Sequence, residues 1–140
     1  MANVFSKYKE YKEKALILDA LSEHLPIAMW ARDMRGDRKY IWVSENYEKT
    51  FRIPKENMLG KTPYEVFDKK HADVYDASDL RILHGGEVAA PIKAQVGYDG
   101  QEVDIWTVKG PLKEGGEITG TVGFSIPAGK TANLFKKDFK

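Results

Sequence analysis

Between Glu87 and Ile126 the chain reads as three consecutive strands, and this run restricts the fold more than any other feature. Val88, Ala90, Ile92, Ala94 and Val96 fall on one face, with Glu87, Ala89, Pro91, Lys93 and Gln95 on the other. Pro91 has no N–H to give to a ladder, so this strand belongs at a sheet edge. Tyr98-Asp99, between Gly97 and Gly100, predicts a tight hairpin; Asp99-Gly100 is the alternative turn pair. Strands follow at 101–109 and 117–126, joined through Gly115-Gly116, and Pro127 and Gly129 end the sheet. Three hairpin-linked strands in succession pair antiparallel, and helices ahead of them make the chain an α+β layer fold.

The same alternation assigns faces. A two-residue turn at 98–99 sets Ala94 opposite Val103, Ile92 opposite Ile105 and Ala90 opposite Thr107. In the last strand Thr119, Thr121, Gly123 and Ser125 share one face, and Ile118, Val122, Phe124 and Ile126 share the other.

Upstream, residues 3–24 read as a helix with no Gly or Pro to interrupt it. Val4, Tyr8, Tyr11, Ala15, Leu18, Ser22 and Leu25 form a heptad-like stripe on it, which needs a partner: the chain's own sheet, a second copy, or both. Pro26 ends this helix. Strands are expected at 27–33 and 39–43 around an Arg35-Gly36-Asp37 turn. Ser44 is the expected cap of a helix over 45–50, and Thr62-Pro63 the start of another. A longer helix covers 69–84, with Val74, Ala77, Leu80, Ile82 and Leu83 as its apolar residues and Gly85-Gly86 as its stop.

Composition removes several function classes. The 22 basic and 21 acidic residues nearly cancel, so no basic field argues for nucleic acid, and none is expected as a partner. There is no cysteine, hence no disulfide, thiolate nucleophile or Cys-based metal site. No apolar run reaches the roughly 20 residues of a membrane span. A cytoplasmic domain without membrane contact is expected. No Ser/His/Asp order or Gly-rich phosphate loop is recognisable, so an enzyme is not expected. Asp73, Asp76 and Asp79 repeat every third residue, a pattern of a solvated helix face rather than of a metal site.

Five short segments, in order, resemble the PAS family of sensory modules. They are Leu25 to Asp33, Ser44-Glu45-Asn46-Tyr47, Leu59-Gly60-Lys61-Thr62, Leu83-His84-Gly85-Gly86-Glu87, and Lys109-Gly110-Pro111-Leu112. The resemblance covers 25–126. It implies a five-stranded antiparallel sheet with helices on one face, a pocket between them, and an N-terminal amphipathic helix on the other face that builds a dimer. The domains are then a dimerisation helix at 1–24, the PAS domain at 25–126, and a tail or linker to a missing output domain (kinase, cyclase or regulator) at 127–140. Many PAS domains carry Asp-Ile-Thr after the last strand. Here Pro127-Ala128-Gly129 stands in that place, so the coupling Asp has no counterpart.

By the same resemblance the Thr121 to Ser125 face looks into the pocket, while Phe124, Ile126, Trp106 and Val108 face the N-terminal helix. The candidate ligand contacts are Trp30, Tyr47, Tyr75, Ile92, Ile105, Thr107, Thr121 and Ser125. The candidate dimer contacts are Tyr8, Tyr11, Ala15 and Leu18. The other reading is a core filled by Trp30, Tyr47 and the long helix, in a scaffold used only for association. Arg32 and Lys109 are placed at the pocket rim, where such residues extend to solvent; turned inward, they would hold a carboxylate. No cofactor is assigned. Cysteine-adduct flavin photochemistry is excluded, and Ser125 stands where flavin-binding relatives have Gln. Haem is disfavoured because Tyr75, not a His, holds the axial-ligand position; His71 and His84 flank the helix as exposed or capping residues.

Overall fold

The computed structural model describes residues 27–86, 88–96 and 101–128, together with Lys9, Glu10, Glu13, Leu16, Ile17 and Ala20, which are helical and exposed. Two strands come first, β1 (Ala28–Asp33) and β2 (Tyr40–Val43). Short helices α1 (Tyr47–Phe51) and α2 (Pro63–Val66), with a 3-10 turn at Lys55–Asn57 between them, lead to the long α3 (Lys69–Leu83). Strands β3 (Val88–Val96), β4 (Gln101–Glu114) and β5 (Glu117–Pro127) complete the chain. The sheet order is β2-β1-β5-β4-β3, with every neighbour pair antiparallel.

The sequence register is the register found: Ala94 pairs with Val103, Ile92 with Ile105 and Ala90 with Thr107. Pro91 lies on edge strand β3, as its missing N–H requires. Gly115 (φ 58) and Gly116 (φ 84) turn β4 into β5 in a conformation other residues avoid.

Alternation gives the sheet two apolar faces. Ala28, Trp30, Tyr40, Val43, Ala94, Val103 and Ile105 face the helices and pack with Tyr47, Phe51, Ile53, Met58, Leu59 and Tyr75. Ala31, Ile41 and Trp42 form a second cluster with Met29 and Leu112.

Two local expectations are corrected. Ser44 does not cap α1; its hydroxyl accepts the Met29 N–H at 3.0 Å, and Asn46 occupies the cap position. Of the apolar residues expected along α3, Val74, Ala77, Leu80, Ile82 and Leu83, Ile82 alone is fully inward. Val74 is exposed, and the buried positions are His71, Ala72, Tyr75, Asp76, Ser78, Asp79 and Ile82. Among the described residues, no helix is long and apolar enough to cross a membrane.

Candidate functional site

The site forms where the inner faces of β1, β4 and β5 meet α3. On β1, alternation sends Trp30 and Arg32 inward. Gly123 is paired with Trp30 across the β1–β5 ladder. A Cβ there would lie 3.0 Å from Trp30 Cζ2 and 2.6 Å from the Val108 carbonyl oxygen, so only glycine lets the indole lie on the strand. On β4 the inward residues are Val103, Ile105, Thr107 and Lys109, all buried. Thr107 stands opposite Ser125 of β5, and their hydroxyls are 2.8 Å apart.

Residues 72, 75, 76, 79 and 82 of α3 are spaced three and four apart, so they share the stripe turned to the sheet. Two of them are carboxylates. Arg32, 1% exposed, donates from Nη1 to Asp79 Oδ2 and from Nη2 to Asp76 Oδ1, both at 2.7 Å, and from Nε to the Arg38 carbonyl at 2.8 Å. Lys109 donates to Asp79 Oδ1 at 3.0 Å and to Ser78 Oγ at 2.6 Å. Arg38 closes the solvent side, 3.0 Å from the other Asp76 oxygen. The solvated acidic face expected from sequence is therefore wrong for Asp76 and Asp79. It holds for Asp73, which is exposed and bonded to Lys69 and Tyr64. Arg32 and Lys109 do not extend to solvent as expected; both are buried, and the carboxylates they hold belong to the chain's own helix.

Burial pulls the Lys109 ammonium below the ordinary lysine value, with the Asp79 charge opposing that shift. Burial also lowers Arg32, but Asp79 and Asp76 outweigh it and the guanidinium is held charged. Burial drives the phenols of Tyr40 and Tyr47 up, so both are neutral hydroxyls at physiological pH.

Between sheet and helices lies a cavity with about 40 Å³ open to the centres of water-sized molecules. Six aromatic rings wall it: Trp30, Tyr40, Tyr47, Phe51, Phe67 and Tyr75. Ala94, Ile105, Thr107, Lys109 and Ser125 make its floor and polar end. Of the eight residues proposed from sequence, Trp30, Tyr47, Tyr75, Ile105, Thr107 and Ser125 line this space. Thr121 does not; it is fully buried in register with Arg32 and Pro111, and its hydroxyl has no hydrogen-bond partner among the described residues. The Ile92 side chain lies outside the described residues, as do Tyr8, Tyr11, Ala15 and Leu18. The sequence reading missed Tyr40, Phe51, Phe67 and Ala94 on the wall, and the Asp76–Asp79 pair behind it. The three-four spacing of Ala72, Tyr75, Asp79 and Ile82 was the signal for that pair.

His71 is not exposed. Its ring is buried with Nδ1 2.6 Å from Asp68 Oδ1 and Nε2 3.3 Å from Glu102 Oε1, away from the cavity wall. His84 is exposed at the C-cap of α3.

The family model described as PAS fold matches residues 25–131. The chain belongs to the PAS family. Among solved structures, an RNA-binding light-oxygen-voltage receptor is 17% identical with a TM-score of 0.61, covering 88% of this chain and 34% of its own. The light-oxygen-voltage domain of a blue-light activated histidine kinase from Erythrobacter litoralis is 20% identical with a TM-score of 0.58, covering 76% and 99%. VqmA from Vibrio cholerae in a ligand–DNA complex is 18% identical with a TM-score of 0.62, covering 80% and 50%. No curated protein matches the sequence. At these identities the likeness is one of fold, a fold found in signal-transduction proteins and generally sensory rather than catalytic.

These neighbours correct one expectation. Near-neutral charge was taken to rule out a nucleic-acid partner, yet neighbours of this fold include proteins described with DNA and with RNA. Balanced charge bears only on direct contact by this domain's own surface, and the matched part is 34% and 50% of those two chains. The exclusion does not stand.

The light-oxygen-voltage neighbours raise the question of flavin. The PAS domain here has no cysteine for an adduct. At roughly 10–15 Å³ per water, the cavity has room for about three or four waters, not for a tricyclic isoalloxazine. The residues present do not fit that group.

Proposed function

We propose that this PAS domain is a small-molecule sensor whose ligand occupies the cavity between the sheet and α3. The observation that carries the reading is the composition of the cavity wall. Six rings enclose it, while its non-aromatic polar residues, Thr107, Ser125 and Lys109, all come from β4 and β5. Few polar groups in an apolar enclosure suit a small ligand, whose shape is read by the rings and whose orientation is read by the hydroxyls and the ammonium.

Transmission would run through the opposite face of the sheet. Trp106, Val108 and Phe124 are exposed there, at 50%, 41% and 38%. Contiguous exposed apolar side chains mark an interaction surface. Residues 1–24 would cover it as the dimerisation helix, and 127–140 would lead to an output domain of a longer, cytoplasmic signalling protein. A second reading, an association scaffold with a filled core, is favoured by the small volume left among the six rings.

Native mass spectrometry of the purified chain, with an absorbance scan of the same sample, separates the two. The sensor reading expects an added small-molecule mass, or a new one after incubation with a metabolite extract. A chain that stays a bare dimer through both overturns it in favour of the scaffold.

A further inference from the structure

The first turn of α3 carries a polar cluster that the cavity does not use. Asp68 caps the helix. Its Oδ1 accepts the His71 backbone N–H at 2.9 Å and also lies 2.6 Å from His71 Nδ1. The other ring nitrogen, Nε2, lies 3.3 Å from Oε1 of Glu102 at the start of β4. The imidazole is 6% exposed and spans the seam between helix and sheet with a carboxylate at each end. Lys70 Nζ also reaches Glu102 Oε1, at 3.1 Å, but it is 77% exposed and water screens that pair.

The two protonation states of the ring meet these carboxylates differently. An imidazolium donates from both nitrogens, one N–H to each carboxylate. A neutral imidazole has one N–H, which the shorter contact claims for Asp68. Nε2 then turns a lone pair on the Glu102 oxygen, acceptor against acceptor. The carboxylates do not relieve this by taking up a proton. Asp68 is held below the ordinary aspartate range, first by the His71 backbone N–H and then by the ring. Glu102 is held below the ordinary glutamate range by the hydrogen bond from Lys70 and by the Lys70 charge. Both stay anionic between about pH 5 and 8, the range in which histidine, of the ordinary side chains, changes charge.

Among the described residues, the charged groups around the ring come from three strands or helices. α3 brings Asp68 and Lys70, β4 brings Glu102, and Lys93 of β3 acts on Glu102. Lys69 of α3 and Tyr64 of α2 turn to Asp73 instead. Glu117, the one titratable residue of β5, stands opposite Glu114 at the far end of β4. Tyr75, one turn along α3, sets its ring 6.3 Å from the imidazole and belongs to the cavity wall.

We infer that His71 is a proton-operated latch between α3 and β4. Protonated, it ties Asp68 and Glu102 together across the seam. Neutral, it keeps Asp68 and repels Glu102, so the start of β4 loosens from the helix one turn away from the cavity wall. Acid closes the seam whatever the cavity holds, and the latch does not rest on the sensor reading.

Two measurements on the full chain test this between about pH 5.5 and 8. In a nuclear magnetic resonance titration, the Glu102 carboxylate carbon and the Tyr75 ring should move along the same curve as the His71 ring nitrogens. The neutral ring should carry its proton on Nδ1. A curve confined to His71, or a neutral ring protonated on Nε2, overturns the latch. In urea, Glu102→Gln should lower the unfolding midpoint at the acid end, because the imidazolium loses an anion. At the alkaline end the deficit should vanish or reverse, because the new amide donates to the Nε2 lone pair. Lys70→Met removes the other cation on Glu102 and should not reproduce this pH dependence. An equal loss in Glu102→Gln at both ends, or the same dependence in Lys70→Met, leaves only the Lys70 pair and overturns the latch.

Discussion

Replacing Asp79 by Asn is the perturbation on which the ionic network stands or falls. Asp79 is 1% exposed and joins two cations from two different strands to α3. Breaking a buried ion pair by neutralising one partner costs about 3–5 kcal/mol. The lower end applies here. Asp76 still faces Arg32 at 2.7 Å, and Lys109 can escape the penalty by losing its proton. About 3 kcal/mol, with a urea m-value of about 1–3 kcal/mol/M for a domain of this size, moves the unfolding midpoint down by roughly 1–3 M. Tryptophan fluorescence reports it, since Trp30 sits in the core beside the network. The control is Asp73→Asn on the same helix, where the partners are exposed, solvent screens the pair and the midpoint should barely move. The pH dependence adds a second reading. Lys109 has a folded-state pKa below its unfolded value, so the folded state binds fewer protons than the unfolded state between the two values. Stability therefore rises as pH rises through that window. In Asp79→Asn the loss of the opposing Asp79 charge widens the window downward, so the variant should recover part of its deficit in alkaline solution. Equal midpoints for the two variants, or a deficit that ignores pH, would refute the buried network.

Three further outcomes are expected. Gly123→Ala should destabilise by about 1–3 kcal/mol, because its Cβ meets the Val108 carbonyl oxygen at 2.6 Å and the Trp30 ring at 3.0 Å, and Trp30 emission should shift with it. Asp68 is held below the ordinary aspartate range, first by the His71 backbone N–H and then by the His71 ring. Its stabilisation is present above the unfolded value and lost as pH falls through the folded one. Urea midpoints should therefore fall less steeply on acidification in Asp68→Asn than in the parent chain. Trp106→Lys, at a half-exposed position, should leave the urea midpoint within experimental error but lower self-association in sedimentation velocity. An unchanged sedimentation profile would remove the outer face from the proposed interface.

The hairpins were legible in the sequence because their information is local. Alternation along 88–96 and a two-residue turn at 98–99 together yield the β3–β4 register residue for residue, Pro91 puts β3 at the edge, and the Gly115-Gly116 turn joins β4 to β5. The α1 cap was misread because the Ser44 hydroxyl is claimed by a residue 15 positions away, the Met29 N–H. The face of α3 was misread for a related reason. Apolar periodicity assumes that a helix turns its apolar residues inward, but this sheet presents Arg32 and Lys109, and α3 answers with Asp76 and Asp79. The carboxylates make sense only once β1 and β4 are known to flank the same helix stripe. Spacing gave their common face; the charge of the opposing strands, 44 to 47 residues upstream and about 30 downstream, decided that the face is inside.

Lys109 belongs to both the cavity wall and the ionic network, and this bears on how a sensor built this way would respond. A ligand shifts a conformational equilibrium only by the difference in its affinity for the two states. A tenfold shift needs about 1.4 kcal/mol, and a hydrogen bond to a charged group contributes about 1.5–3 kcal/mol. One acceptor placed at Lys109 Nζ in one state and absent from it in the other is therefore enough. No wholesale repacking of the aromatic wall is required. The groups that Lys109 already bonds, Asp79 and Ser78, are both on α3, so the first element to feel the ligand is the helix. From β4 the same residue continues to the outer face through its neighbour Val108, which is 41% exposed. A ligand that touched only the rings would bind without this leverage. Under the sensor reading, affinity and signalling should then separate in Lys109→Met: purely apolar ligands keep their binding, and acceptor-bearing ligands lose both.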